Sequence, residues 1–405
     1  MQLKLLNFYQ IISKIATSIT GAFIALIIYQ STGSFTWAFV YLFAYNMLRL
    51  SLQHYLKKYF QKYPQLVLVL RIVPFLCYSL SIFLLSTSIK IFAIFLILIF
   101  HSLSEVMGGL PIDYIFSYNT GSRTSSSLGI IRMMETMGTV LATLMGGLFL
   151  DYLNRWVIII ISCLLYIISS VPLLIYYFHN KNTKGFNIEA TSNATESLNK
   201  KDSRKIQHKM ISHAILKNYF VMYILLCFYD FTTTLLSLYI FKMNSESYSL
   251  FAYVQMAYSG FYGIGSFVAS RMDQKHDLST MAIFSCIVCS TCIAMSPFFA
   301  TTIVVEVILL ATSGFFESFV SLFLYSRMVS RCKILGVSNE ALYLRKASTF
   351  ISQGFVAGLC IIGPFMFIPA FFVISAASLT LSVGLTKNEE VSRKMLVDYL
   401  QENSI

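Results

Sequence analysis

A few acids, bases and one imidazole stand in otherwise apolar sequence, where an ionised side chain is costly and is kept for pairing or for function. His101 and Glu105 are four residues apart in the run Lys90 to Tyr114, so on a helix they share a face. Arg49 lies in an earlier apolar run, and Arg132 and Glu135 in the next one, at overlapping expected depths. Burial favours the neutral form of a carboxylate and a neighbouring arginine favours the charged form, so such a group can exchange a proton as its surroundings open and close. Glu105 is the first choice for that role, Arg132 its expected counter-charge and Glu135 the second choice; a static salt-bridge cluster is the competing reading. Later in the chain Asp230 and Glu317 are placed to attract a cation, beside Phe228, Tyr229, Phe315 and Phe316. Glu306 is expected to reach water. Lys14, Arg71, Arg345 and Lys346 fall near expected span ends and read as snorkelling side chains, while Asp113 and Asp151 read as fixing loops or helix ends.

The elements that must hold these groups follow from composition. The chain has 405 residues, of which 57% are hydrophobic and 12% charged, with a mean hydropathy of +0.70. Apolar runs of about 20 residues recur through most of it, the length needed to cross a bilayer as helix. Backbone groups in lipid must pair internally, and barrel strands would alternate polar and apolar residues, so the runs are helices. Twelve spans are expected. The net charge of +12 is carried in short clusters between these runs, a membrane-orientation pattern that argues against nucleic acid as a partner. Seven of the 8 cysteines fall inside apolar runs, where they act as small hydrophobes, and neither a metal nor another cofactor is expected. No cleavable signal peptide is read at the start of the chain.

Most of the 30 Lys and Arg residues lie on one side of the expected spans, whereas the other side's connections hold only Lys90, Arg155 and Lys242. Both termini are therefore expected in the cytoplasm, with the protein in the cell membrane. The long polar stretch after His179 divides the chain. The expected organisation is a six-helix bundle over 1–179, a cytoplasmic linker over 180–217, a second six-helix bundle over 218–385 and a cytoplasmic tail over 386–405. A shift of 216 positions carries Gly138 onto Gly354 and aligns the hydropathy of the halves, as an old duplication would.

Small residues mark where helices approach closely. Gly138, Ala142 and Gly146 form a stripe on the fifth span, Gly260 and Gly263 lie on the eighth, and Gly354 and Gly358 form GxxxG on the eleventh. They are expected at the seam between two halves that move against each other.

Twelve spans in two related halves, with a Gly-rich fifth span followed by Asp151, Arg155 and Trp156, resemble the major facilitator superfamily of secondary transporters over residues 1 to 385. Glu105-Val106-Met107-Gly108-Gly109 resembles a motif of that family's fourth span, with Glu105 where the family usually has Arg. Gly265, Arg271 and Asp273 partly echo its loop signature, whereas Gln53 to Lys58 keep only the basic character. The resemblance implies an all-α membrane protein with twelve transmembrane helices in two pseudo-symmetric six-helix bundles. It implies a non-enzymatic secondary active transporter working by alternating access. Proton-coupled efflux of a small amphipathic or cationic compound, by a monomer in the lipid bilayer, is the expected activity. A lipid or glycolipid flippase, a nutrient symporter or uniporter, and a non-transporting membrane partner or sensor are the alternatives.

Overall fold

The computed structural model describes residues 2–119, 124–153, 155–182, 202–243, 247–272, 279–299, 302–362 and 367–403. The first half comprises α1 (Gln2–Gly21), α2 (Ile24–Thr32), α3 (Phe35–Lys62), α4 (Pro64–Leu70), α5 (Ile72–Phe83), α6 (Lys90–Asn119), α7 (Thr124–Tyr152) and α8 (Arg155–Asn182). The second comprises α9 (Asp202–Met243), α10 (Tyr248–Met272), α11 (Ser279–Phe299), α12 (Ile303–Ile334), α13 (Ser338–Ile361) and α14 (Phe367–Asn403). With α1 and α2 as one bent pass and α4 and α5 as another, the helices make twelve passes.

The break in the third pass has a local cause. Pro74 lacks an N–H and its ring would collide with the carbonyl of Leu70, four residues earlier. α4 ends at Leu70 and α5 begins at Ile72, leaving Arg71 at the corner. Two other helices run further than expected. Residues 202–217, assigned to the solvated linker, are helical and continuous with the seventh pass, and α14 continues through the expected tail to Asn403. The rest of the expected linker, 183–201, lies outside the described residues.

Helices α1, α7 and α8 pack together, as do α3, α5 and α6; in the second half α9 packs on α13 and α14, α10 on α12, and α11 on α12 and α14. The halves meet chiefly along two helix pairs, α7 with α10 and α3 with α13. The internal repeat maps α3 onto α10 and α7 onto α13, so it exchanges the two seams. Among the described residues eight helical stretches are long and apolar enough to cross a membrane; α3, α10, α13 and the described part of α7 fall short of that measure. These are the seam helices. A helix that meets protein on two sides exposes less surface to lipid and can carry more small and polar residues.

The glycines divide between two surfaces. A Cβ on Gly147 would lie 2.5 Å from Ala252 Cβ and 2.8 Å from the Tyr248 carbonyl oxygen, and one on Gly263 would lie 3.1 Å from Thr136 Cβ, both on the α7–α10 seam. Gly260 faces Val140 there, and on the other seam Gly354 and Gly358 face Met47 and Phe43 of α3. The stripe of Gly138, Ala142 and Gly146 is elsewhere. A Cβ on Gly138 would meet Ile15 at 3.3 Å, one on Gly146 would meet the Phe23 ring at 2.7 Å and the Ile19 carbonyl oxygen at 2.8 Å, and Ala142 clusters with Ile19 and Ile158. The stripe expected at the moving seam instead seats α7 on the first pass of its own half. One residue turns a helix by about 100°, which is enough to aim Gly146 and Gly147 at different neighbours.

Candidate functional site

His101 sits on α6 between two aromatic rings. Tyr45 of α3 stacks on one side with centroids 4.6 Å apart, and Tyr78 of α5 on the other at 4.5 Å. The Tyr41 hydroxyl makes a 2.7 Å hydrogen bond with Nδ1, and the Tyr45 hydroxyl lies 3.5 Å from Nε2. The imidazole is only 8% exposed, so its orientation is held by stacking and hydrogen bonding together.

One turn further along α6, Glu105 pairs with Arg71. Arg71 Nε donates to the Ser104 carbonyl oxygen at 2.7 Å, and its Nη2 lies 3.3 Å from Glu105 Oε1. The Arg71 side chain is 8% exposed and that of Glu105 25%. Gly108 makes the seat: a Cβ there would collide with the guanidinium. The sequence Ser104-Glu105-x-x-Gly108 therefore reads as one acceptor, one counter-charge and one gap, all served by the corner left by the Pro74 break. Arg132, expected as the counter-charge, and Glu135 are helical residues of α7 whose side chains lie outside the described residues. Arg71, assigned to snorkelling, pairs with Glu105.

Two more bases reach this region. Arg49 Nη1 donates to Asn46 Oδ1 at 3.3 Å, and its guanidinium carbon lies 4.6 Å from the Tyr45 ring centroid and 4.1 Å from that of Phe350, on α13. Lys14 of α1 is exposed, yet it is close enough to act electrostatically on Glu105 and His101. Arg49 acts on the same two groups. Neither base has a carboxylate within salt-bridge distance among the described residues.

The halves are latched on both sides of this cluster. Toward the linker face, Asp113 Oδ2 of α6 lies 3.6 Å from Arg345 Nη2 and 3.5 Å from Lys346 Nζ, both on α13. Gln53 Nε2 donates to the Tyr343 carbonyl oxygen at 2.8 Å, and His54 Nδ1 lies 3.1 Å from the Tyr343 hydroxyl. At the opposite face Asp151, at the end of α7, accepts from the backbone N–H of Tyr248 at 3.0 Å and of Ser249 at 2.8 Å. Its carboxylate thus caps the N-terminus of α10, where free N–H groups and the helix dipole favour an anion. The Tyr248 hydroxyl also donates to Gln30 Oε1 at 2.6 Å. Arg345 and Lys346, assigned to snorkelling, thus hold Asp113 across the seam, and Asp151 fixes a helix end in the other half.

The expected second-half acids separate. Glu317 is buried and accepts from the Tyr258 hydroxyl. Glu306 is fully buried and does not reach water. The Asp230 side chain lies outside the described residues. Sequence reading missed the tyrosine clamp around His101 and the partners of Arg71, Asp113 and Asp151. The Pro74 break and the glycine four residues after Ser104 are the local signals that could have pointed to the Arg71 seat.

Paired seam helices, latches at both faces and buried charges between them define the class: an all-α membrane protein of twelve transmembrane helices in two pseudo-symmetric six-helix bundles. The family model of the Major Facilitator Superfamily matches residues 6–339, and the chain belongs to that family of transporters. No curated protein matches it. Among solved structures, a bacterial homologue of the iron transporter ferroportin in an outward-facing state is similar at a TM-score of 0.69 and 12% identity, covering 96% of this chain and 100% of that one. A D-xylose-proton symporter is similar at a TM-score of 0.65 and 11% identity, covering 95% of this chain and 96% of that one. At these identities the likeness is one of fold.

Proposed function

We propose that the protein is a proton-coupled secondary transporter of a small amphipathic compound, working by alternating access as a monomer in the cell membrane, with both termini cytoplasmic and no covalent chemistry. The observation that carries this reading is the Arg71–Glu105 pair, a partly buried acid and base on a helix that is itself tied across the seam. The charged or titratable groups facing Glu105 are Lys14 from α1, Arg49 from α3, Arg71 from the α4–α5 corner and His101 from α6. Protonation of Glu105 removes the charge that holds Arg71. Asp113, eight residues and about 12 Å further along α6, grips Arg345 and Lys346 of the other half. Releasing α6 at Glu105 therefore changes the footing of the linker-face latch at Asp113, and the close-packed seams let the halves rock as bodies.

The cationic alternative leaned on Asp230 and Glu317. Glu317 is engaged by Tyr258, and among the described residues bases outnumber acids around Glu105, so the first-half cluster is a poor host for a cation. The test is flux in reconstituted vesicles under an imposed pH gradient, screened with aryl carboxylates, aryl amines and neutral aryl compounds. Glu105→Gln should abolish the response to the gradient while leaving solute exchange between equilibrated compartments. An undiminished response in that variant rejects Glu105 as the proton carrier. Absence of any flux in the native protein would favour a non-transporting partner.

A further inference from the structure

We infer that the solute carries an anionic head, bound between Lys14 and Arg49 with Lys346 on the facing helix, and that it travels in the same direction as the proton. This rests on the transporter reading above and names its substrate class and coupling sense.

Among the described residues the charges have an uneven balance. Lys14, Arg49, Arg71, Arg345 and Lys346 gather around two carboxylates, those of Glu105 and Asp113, and each carboxylate is already paired, one with Arg71 and the other with Arg345 and Lys346. Lys14 and Arg49 remain without an acid among the described residues, and both act electrostatically on Lys346 as well as on Glu105. Like charges held together inside a membrane protein repel one another and need a compensating anion. Arg49 is also pre-aimed. Rings from both halves, Tyr45 and Phe350, flank its guanidinium carbon at 4.6 and 4.1 Å, and its Nε is buried without a hydrogen-bond partner. A guanidinium held between rings with a free Nε–H has a donor left over for a carboxylate, sulfonate or phosphate. Lys14 is exposed although it sits within the apolar first pass, and no carboxylate lies within salt-bridge distance of it among the described residues. The aromatic rings supply a surface for the apolar body of the solute.

The coupling sense follows from electrostatics. Ionised Glu105 repels an anion at Lys14 and Arg49, and protonated Glu105 does not. The proton and the anion therefore favour each other's binding and cross together, whereas a cation would compete with the proton and be exchanged for it. The expected efflux by exchange against protons gives way to co-transport.

The experiment is equilibrium binding to the full chain in nanodiscs, using probes that share one skeleton: 2-naphthalenesulfonate, 2-naphthylmethanol and 2-naphthylmethylammonium. The sulfonate stays ionised at every working pH. It should bind at least about tenfold more tightly than the ammonium, and Lys14→Gln and Arg49→Gln should each lose most of that preference while keeping the alcohol's affinity. Lys14→Gln guards against misfolding, because the side chain is exposed and has no salt-bridge partner among the described residues. Glu105→Gln should bind the sulfonate more tightly than the native protein does. Equal or tighter binding of the ammonium, no saturable sulfonate binding, or an unchanged preference in both Lys14→Gln and Arg49→Gln overturns the inference. A sulfonate site that depends on Lys14 and Arg49 in a protein whose flux ignores a pH gradient keeps the anion and rejects the proton. Gradient-driven flux of the ammonium alone keeps the proton and rejects the anion.

Discussion

Arg71 reaches Glu105 from the corner of a broken helix, its Nη2 3.3 Å from Oε1, while its Nε holds the Ser104 carbonyl oxygen. Removing one member strands the other in a poorly solvated place, which costs about 3 kcal/mol for buried pairs. Arg71→Gln and Glu105→Gln should each lower thermal stability, and the double variant should recover part of the loss. Melting of the four proteins closes the cycle; strictly additive losses would mean that the two side chains do not interact.

Adjacent glycines on α7 should behave differently. Gly146→Ala presses on Phe23 and the Ile19 carbonyl within the first half, so it should reduce stability by about 1–3 kcal/mol with the distribution of states unchanged. Gly147→Ala presses on Tyr248 and Ala252 across the seam, so it should favour the state open at the opposite face. Cysteine accessibility at the two faces, read beside a melting curve, separates the two effects.

Asp113 anchors the linker-face latch. Asp113→Asn leaves Arg345 and Lys346 beside each other without their shared carboxylate, so α13 should part from α6. Labelling of a cysteine introduced near Tyr343 should become faster in this variant. An unchanged rate would place the latch in the Gln53 and His54 contacts instead.

Asp151 should control the other face. Asp151→Ala removes the cap on α10, worth about 1 kcal/mol, or roughly a fivefold shift toward the state open at that face. Asp151→Asn, which retains one acceptor oxygen, should lie between the variant and the native protein. Solute exchange measured from each side of oriented vesicles reads the shift.

Much of the architecture was legible in the residues themselves. Apolar run length specified helices, the basic connections specified an expected orientation, and the polar stretch after His179 divided the halves, because each depends only on the cost of exposing backbone and charge to lipid. Spans delimited by hydropathy stop short of the helices at 202–217 and 386–403, where polar sequence continues a helix that also runs through apolar sequence.

The sequence by itself determined that this protein is a bundle of membrane helices in two related halves, with Glu105 and His101 sharing a face amid apolar surroundings. Only the tertiary structure decided what those groups meet. Arg71 pairs with Glu105 because Pro74 turns it toward α6 and Gly108 leaves it room. Arg345 and Lys346 became a latch because α13 brings them to Asp113, more than two hundred residues away in the chain. The small-residue stripe proved to seat α7 on α1, and the α7–α10 seam fell to Gly147, one position and about 100° further round. Helical spacing establishes which residues share a face; the packing of the neighbouring helices decides what that face touches.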